Sequence, residues 1–391
     1  SRGLGDVYKR QSHHSIEPSL IHPRARPECR DRGRSTRRRA PIMSRTSLVL
    51  DPAGGGGEFG PEKLNRSAPF KELYKVGKVI GEGAFGTVRL VTHRAENTKW
   101  AVKIIEKSKI DPGDHALRTE IDILCRVDHV NCVGLKEWFD EPKRVLLVLE
   151  YVDGGTLFDR GVDTGRMDEE RGRRAFVELA SGLAYLHGKG IAHRDLKPEN
   201  FMLSSKKTDA VAKLCDYGLS KILDQSEDGE KTVCGTPSYV APEILKTLTS
   251  GGSYDAIKAD AWSLGCNLYV LLGGYPPFWR YDDNQRRLFD HIMMNDWSFD
   301  QPCWKKVSDE ARAVIKALME PDLEKRMSVA EALEHAWCAK EASTAELPET
   351  LESIKAYVRA RKFRQTGLVI IAQGRLARAV KSTGADLEED A

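Results

Sequence analysis

The chain has 391 residues, 40% of them hydrophobic and 30% charged, with a formal net charge of +3. Those values suit a globular protein of about two or three domain-sized units with a sizeable core. The apolar runs Val145–Leu149 and Leu268–Leu272 are too short to span a bilayer, which excludes a membrane-spanning helix there and leaves buried strand and buried helix.

The first segment is basic. Residues 1–42 carry 11 Lys/Arg against 4 Asp/Glu, so the chain's positive balance sits here and the remainder is net acidic. The Arg37-Arg38-Arg39 cluster within Arg24–Arg39 could meet a nucleic-acid backbone. That stretch has no interleaved aromatics and no hydrophobic period, which favours a solvated, disordered tail and argues against nucleic acid as a partner. The chain opens on Ser1 and its first Met is Met43, so residues 1–42 are set aside as sequence that the mature protein need not contain. They also lack the apolar core of a secretory signal. The eight cysteines, Cys29, Cys125, Cys132, Cys215, Cys234, Cys266, Cys303 and Cys338, form no CxxC pair. They suit neither a zinc site nor a disulfide framework, and free thiols point to the cytoplasm or nucleus.

Asp51–Gly60 holds Pro52 and the run Gly54–Gly57, which reads as a flexible linker, so tail and linker together fill residues 1–73. Residues 74–82, 86–94 and 98–106 alternate apolar and polar, which predicts three antiparallel strands. Residues 114–127 place Leu117, Ile121, Leu124 and Cys125 at helical spacing, and Val145–Tyr151 is a further strand. Beyond Asp159 helices dominate. Arg171–Gly188 puts Phe176, Leu179, Leu183 and Leu186 on one face, while Ala259–Leu272 is apolar nearly all round and hence buried. Asp309–Met319 and Val329–Trp337 are the next helices. A run of strands with one helix, then a helix-rich half, predicts an α+β protein of two lobes.

Four motifs carry chemistry. Gly81-Glu82-Gly83-Ala84-Phe85-Gly86-Thr87-Val88 lies between two predicted strands. Glycines let a backbone approach phosphates, and a following strand favours a hairpin lid over a dinucleotide-binding turn, which a helix should follow. In Ala101-Val102-Lys103-Ile104-Ile105, a lysine flanked by apolar strand residues must be exposed or paired. Glu120, in the next helix, is its predicted partner across 17 residues. His193-Arg194-Asp195-Leu196-Lys197-Pro198-Glu199-Asn200 is the most specific: Asp195 can accept a hydroxyl proton, Lys197 can neutralise phosphate charge and Asn200 can hold Mg²⁺. Asp216-Tyr217-Gly218 supplies a second metal ligand in Asp216.

Together, residues 74–340 resemble the protein kinase family across its whole catalytic domain, divided into lobes at about 74–150 and 151–340. The resemblance implies the two-lobed kinase fold with Mg-ATP between the lobes. It assigns the nucleotide to Ile80, Gly81, Glu82, Gly83, Ala84, Phe85, Gly86, Val88, Ala101, Lys103, Glu150 and Val152. It assigns catalysis to Asp195, Lys197, Lys103 and Glu120, and the metal to Asn200 and Asp216. Thr236-Pro237 and Ala241-Pro242-Glu243 look like the end of the activation segment, with Thr236 in the substrate platform and Arg326 as the buried partner of Glu243. Lys197 in Asp-Leu-Lys-Pro-Glu-Asn is similar to the Ser/Thr type, which implies protein substrates with Ser or Thr hydroxyls. Gly154–Arg160, Cys234–Glu243, Gly274–Phe278 and His335–Trp337 look like the calcium/calmodulin-dependent group.

Two residues depart from the pattern. Tyr217 replaces the usual Phe, and its hydroxyl needs a partner in an apolar site. Thr156 stands where close relatives often carry Glu, which leaves the usual preference for basic substrates resting on Glu199. Cys215 reads as a small buried residue of the ATP site, or as a thiol that electrophiles could trap. Thr232 resembles an activation-loop phosphosite for an upstream kinase, its phosphate pairing with Arg194. In the tail, 341–391, Arg359–Lys381 is basic with Phe363, Ile370 and Leu376 as spaced apolar anchors, which resembles a calmodulin-binding helix. An ordinary docked amphipathic helix is the plainer alternative. Calcium would act through that partner, since no EF-hand loop is present. The rival to an active enzyme is a pseudokinase scaffold, weakly active or inactive, for which Tyr217 is the one hint.

Overall fold

The computed structural model describes residues 63–65, 67–83, 86–110, 115–165, 167–223, 236–281 and 284–360. Strands β1 (Tyr74–Gly83), β2 (Gly86–His93) and β3 (Lys99–Glu106) precede helix α2 (Ala116–Arg126), then β4 (Leu135–Asp140) and β5 (Arg144–Glu150). They form one antiparallel sheet in the order β1-β2-β3-β5-β4. Phe70, Tyr74, Val91, Val102, Phe139, Leu146 and Val148 pack as the core of this smaller lobe.

That core corrects the sequence analysis at its start. Within residues 63–73, assigned above to the linker, Phe70–Leu73 forms a short helix, α1, and Phe70 stacks on Tyr74 with ring centroids 5.1 Å apart. Leu64 bridges Trp138 in parallel, so these residues cover the β4 edge of the sheet. The Tyr74 hydroxyl and the Asn65 amide both bond Glu137, which anchors the join.

The larger lobe is helical. It holds α3 (Leu157–Thr164), α4 (Glu169–Gly188), α5 (Pro242–Ser250), α6 (Ala256–Gly273), α7 (Gln285–Met293), α8 (Asp309–Leu318), α9 (Val329–Glu334) and α10 (Ala336–Ala339). Between α4 and α5 lie the short strands β6 (Ile191–Ala192), β7 (Phe201–Leu203), β8 (Ala212–Leu214) and β9 (Lys221–Ile222). Helix starts follow their capping residues: Asp168 accepts from Arg171 N, Asp255 from Ile257 N and Lys258 N, and Ser328 with Glu331 forms a capping box. The predicted Val329–Trp337 helix is two pieces, because His335 is extended (ψ 142°) and caps α10. No described helix is long and apolar enough to cross a membrane.

Past residue 340 the chain returns to the large lobe. Leu347 N donates to Met167 O, and a helix runs over residues 348–360 with Thr350, Ile354 and Val358 buried. Thr350 Oγ1 donates to Leu272 O at 2.7 Å. Gly274 makes the approach possible: its φ is +88°, and a Cβ there would lie 2.5 Å from Ser353 Cβ.

Glu170 fastens the same segment. Its carboxylate accepts from Arg173, Arg174 and Ala342 N, and its own N–H bonds Ser343 O. The Arg173 hydrogen bond, with help from Ala342 N and Arg174 and against the opposing effect of burial, holds its pKa down at about 2. A depressed carboxylate stabilises above its ordinary value of 4.5 and loses that contribution as pH falls towards about 2. Glu170→Gln should therefore be less stable at neutral pH and show a flatter stability curve between those two pH values, read by urea titration. A slope equal to wild type would show that Glu170 is not titrating in the fold.

Candidate active site

Lys103 sits mid-β3, opposite Val88 on β2 and Leu147 on β5. Strand register thus fixes its height in the cleft. Its Nζ meets Glu120 Oε1 at 2.6 Å and Asp216 Oδ1 at 3.6 Å. Burial alone would lower the ammonium's pKa, but Glu120 and then Asp216 outweigh it, so the pKa is raised and the charge held. The tertiary pairing expected across 17 residues is present.

The glycine-rich segment is a hairpin, as its strand context predicts. Gly81 pairs with Val88, Glu82 with Thr87 and Gly83 with Gly86. A Cβ on Gly86 would lie 1.8 Å from Ile104 O, so no larger residue fits there. Ala84 and Phe85 lie outside the described residues. Ile80 is exposed on β1, while Ala101 is buried and pairs with Leu149 at the cleft end of β5. The Glu150 carboxylate is taken by Lys213 Nζ at 3.0 Å, and the Glu150 N–H donates to Gly134 O at 2.9 Å.

The loop after β6 carries the residues expected to react, Asp195, Lys197 and Asn200. Asp195 is buried, and its Oδ2 meets Lys197 Nζ at 2.5 Å while Oδ1 accepts from Thr236 Oγ1 at 2.9 Å. Asn200 Nδ2 donates to Asp195 O at 2.8 Å, which leaves the amide oxygen as its acceptor. Arg194 has φ +68° and Asp216 φ +65°. A left-handed non-glycine costs on the order of 1–3 kcal/mol and persists only where its surroundings hold it. For Arg194 the holder is Asp260 on α6, whose carboxylate accepts from His193 N at 2.7 Å and Arg194 N at 2.8 Å. His187 Nε2 lies 3.0 Å from the same carboxylate.

Asp260 lies within the stretch Ala259–Leu272 that the sequence marks as a buried helix. An acid inside an apolar run was the available signal, since it must be paired to stay buried. Asn267, one face along α6, likewise donates to Leu196 O at 3.1 Å. The two residues turn α6 into the scaffold of the loop.

These groups fit a divalent cation with phosphate. Among the described residues no group of three or more His, Cys, Asp or Glu could hold a metal alone. Asn200 and Asp216 together offer hard oxygens, and Cys215 N to Asn200 O at 3.0 Å ties their backbones together. Mg²⁺ is typically held by one or two carboxylates and takes its other ligands from phosphate and water. The Asp216 side chain is 52% exposed, so its oxygens face open cleft.

Burial pushes the Cys215 thiol up to about 12, so it stays protonated and packs as a small residue. Thr156 caps α3, accepting from Asp159 N and donating to Asp159 Oδ2. Glu243 and Arg326 form the expected pair, at 2.5 and 3.0 Å. Thr232, Phe363, Ile370 and Leu376 lie outside the described residues.

The chain matches the protein kinase domain family over residues 74–338. It is 41% identical over 285 residues to a probable myosin light chain kinase of Dictyostelium discoideum, spanning 73% of this chain and 89% of that protein. Myosin light chain kinase A of the same organism is 38% identical over 302 residues, 76% and 98% of the two chains. The serine/threonine-protein kinase DCLK1 of Rattus norvegicus is 38% identical over 315 residues, 80% and 70%. With a lysine, two carboxylates and the loop base assembled in one cleft, and relatives named as Ser/Thr kinases, the chain belongs to the protein kinase family and is a protein Ser/Thr kinase.

Proposed function

We propose that this kinase is catalytically competent, uses Mg-ATP held by Asn200, Asp216 and Lys103, and is restrained by its own C-terminal segment until calcium-loaded calmodulin removes it. Competence is supported by the Lys103–Glu120–Asp216 chain of contacts. Asp195 accepts the substrate proton and aims the hydroxyl oxygen, and Lys197 offsets phosphate charge. The metal, when bound, screens the charge between the phosphates. Thr236, bonded to Asp195, belongs to the turn that receives the substrate. The scaffold alternative rests on Tyr217 alone.

The observation that carries the regulatory half is a hydrogen bond. Tyr357, on the docked helix over 348–360, places its hydroxyl 2.7 Å from that of Tyr239, in the turn Pro237–Tyr239 beside Thr236. The helix therefore touches the turn proposed here to receive the substrate, and the basic stretch with Phe363, Ile370 and Leu376 follows it in sequence. A partner that wraps this stretch would draw on the same helix. Thr232 is the proposed site for an upstream kinase, and the free thiols suit the cytoplasm or nucleus. Relatives are named for myosin light chains, so a myosin light chain is the first protein substrate to try.

The test is phosphate transfer to a basic peptide and to myosin light chain, with and without calcium and calmodulin. Ile354→Asp puts a charge under the docked helix and should raise calmodulin-independent activity on the order of tenfold, within the usual range of such couplings. A fall in activity instead would make the helix a structural part of the lobe. No response to calmodulin in wild type would remove calmodulin from the proposal.

A further inference from the structure

Tyr217 is 2% exposed, and its hydroxyl has found a polar partner. It donates to Leu214 O at 3.3 Å. Leu214 is in turn the bridge partner of Cys132 on loop 130–133. These groups sit at the seam where loop 130–133 joins β8.

That seam is bonded at several residues. Lys213 Nζ donates to Val130 O at 2.7 Å, and Asn131 Nδ2 to Ala212 O at 3.0 Å. Leu214 N donates to Asn131 O at 2.8 Å, and Val133 N to Leu214 O at 2.9 Å. Behind the loop, Gly182 of α4 packs so closely that a Cβ there would lie 2.8 Å from Asn131 O. Loop 130–133 is thus held between a helix and a strand.

Asp216 is the residue between this seam and the Tyr217 ring, and it is left-handed. Its neighbours hold it from both sides. Cys215 N bonds Asn200 O, and Cys215 O lies 3.3 Å from His193 Nε2. On the far side Tyr217 O accepts from Ser220 N at 3.0 Å. A phenylalanine ring would fill the same space but make no polar contact with the seam.

We infer that the Tyr217 hydroxyl is a positioning group for Asp216: it ties the residue after the metal-facing carboxylate to Leu214 of β8, itself bonded to loop 130–133, and so keeps that carboxylate turned into the cleft. The hydroxyl replaces an apolar contact with a directional one, so it favours the metal-competent arrangement over any in which the ring leaves this pocket. This inference rests on the proposed role of Asp216 towards Mg²⁺.

The test is calorimetric binding of ADP to the full chain, with and without Mg²⁺, for wild type and Tyr217→Phe. Wild type should bind ADP more tightly with Mg²⁺. In the variant that gain should shrink about fivefold, the size of one neutral hydrogen bond, with metal-free affinity unchanged. Amide exchange at Gly218 and Ser220 should quicken. The Phe variant keeps the ring, and Val133 N stays paired with Leu214 O, so it is expected to fold; a thermal melt checks this. An unchanged Mg²⁺ gain, whatever the melt shows, would reduce Tyr217 to core filler. Absence of any Mg²⁺ gain in wild type would instead overturn the metal role of Asp216, and this inference with it.

Discussion

Asp195→Asn is expected to lower kcat by about 10²–10⁴-fold, the usual worth of a positioned proton acceptor, while the protein stays folded and binds ADP as wild type does. Asparagine keeps the volume of a side chain that is buried among Lys197, Thr236 and Asn200. It loses the charge that Lys197 faces and one of two acceptor oxygens. The amide nitrogen must point either at the Lys197 ammonium or at the Thr236 hydroxyl, and only the second can accept from it. Nucleotide affinity should hold, because Lys103, the hairpin and the main chain near Glu150 are untouched. Steady-state kinetics and calorimetric ADP binding separate the outcomes. Equal, measurable turnover in both proteins would show that another group takes the proton. No turnover in either would bring forward the scaffold alternative.

Much of the site was legible because each motif is local. The glycine hairpin, the loop His193–Asn200 and the segment Asp216–Gly218 each span a few residues whose chemistry is set by neighbours in sequence. Lys103 alone could have been exposed; Glu120 in the next helix is what offered it a partner. What escaped was carried by contacts between distant segments. β4, Leu135–Asp140, has a register irregularity between Leu135 and Glu137 that blurs its alternation. The flank at 63–73 looked like linker because its neighbours are glycines, yet Phe70 and Tyr74 at i, i+4 were an apolar pair in need of a core. The contact between Tyr239 and Tyr357 joins residues 118 apart in sequence and leaves no periodic trace. Asp260 shows the middle case: its burial was legible, its role was not, since no pattern in α6 says which backbone N–H groups will meet its carboxylate.

Glu243→Ala should cost about 3–5 kcal/mol, the range for breaking a buried ion pair from one side. The Arg326 side chain is 0% exposed, and every bond it makes is internal. Its Nη1 and Nη2 meet the two Glu243 oxygens at 2.5 and 3.0 Å, Nε donates to Glu320 O and Nη1 also to Lys258 O. Its guanidinium lies 5.2 Å from the Trp262 ring. Removing Glu243 leaves that cation in place with two carbonyls and a ring face, none of which carries the opposite charge. Denaturant titration should show the loss, and a cost under about 1 kcal/mol would mean that water reaches the guanidinium, as at surface pairs. The double variant Glu243→Met with Arg326→Leu should recover much of it, because two apolar residues can replace a buried pair at little cost. Glu243 also lies in the first turn of α5, just after the turn Pro237–Tyr239 proposed to receive the substrate. The single variant should therefore raise peptide KM before it lowers ADP affinity, which places the effect on the platform and not on the nucleotide cleft.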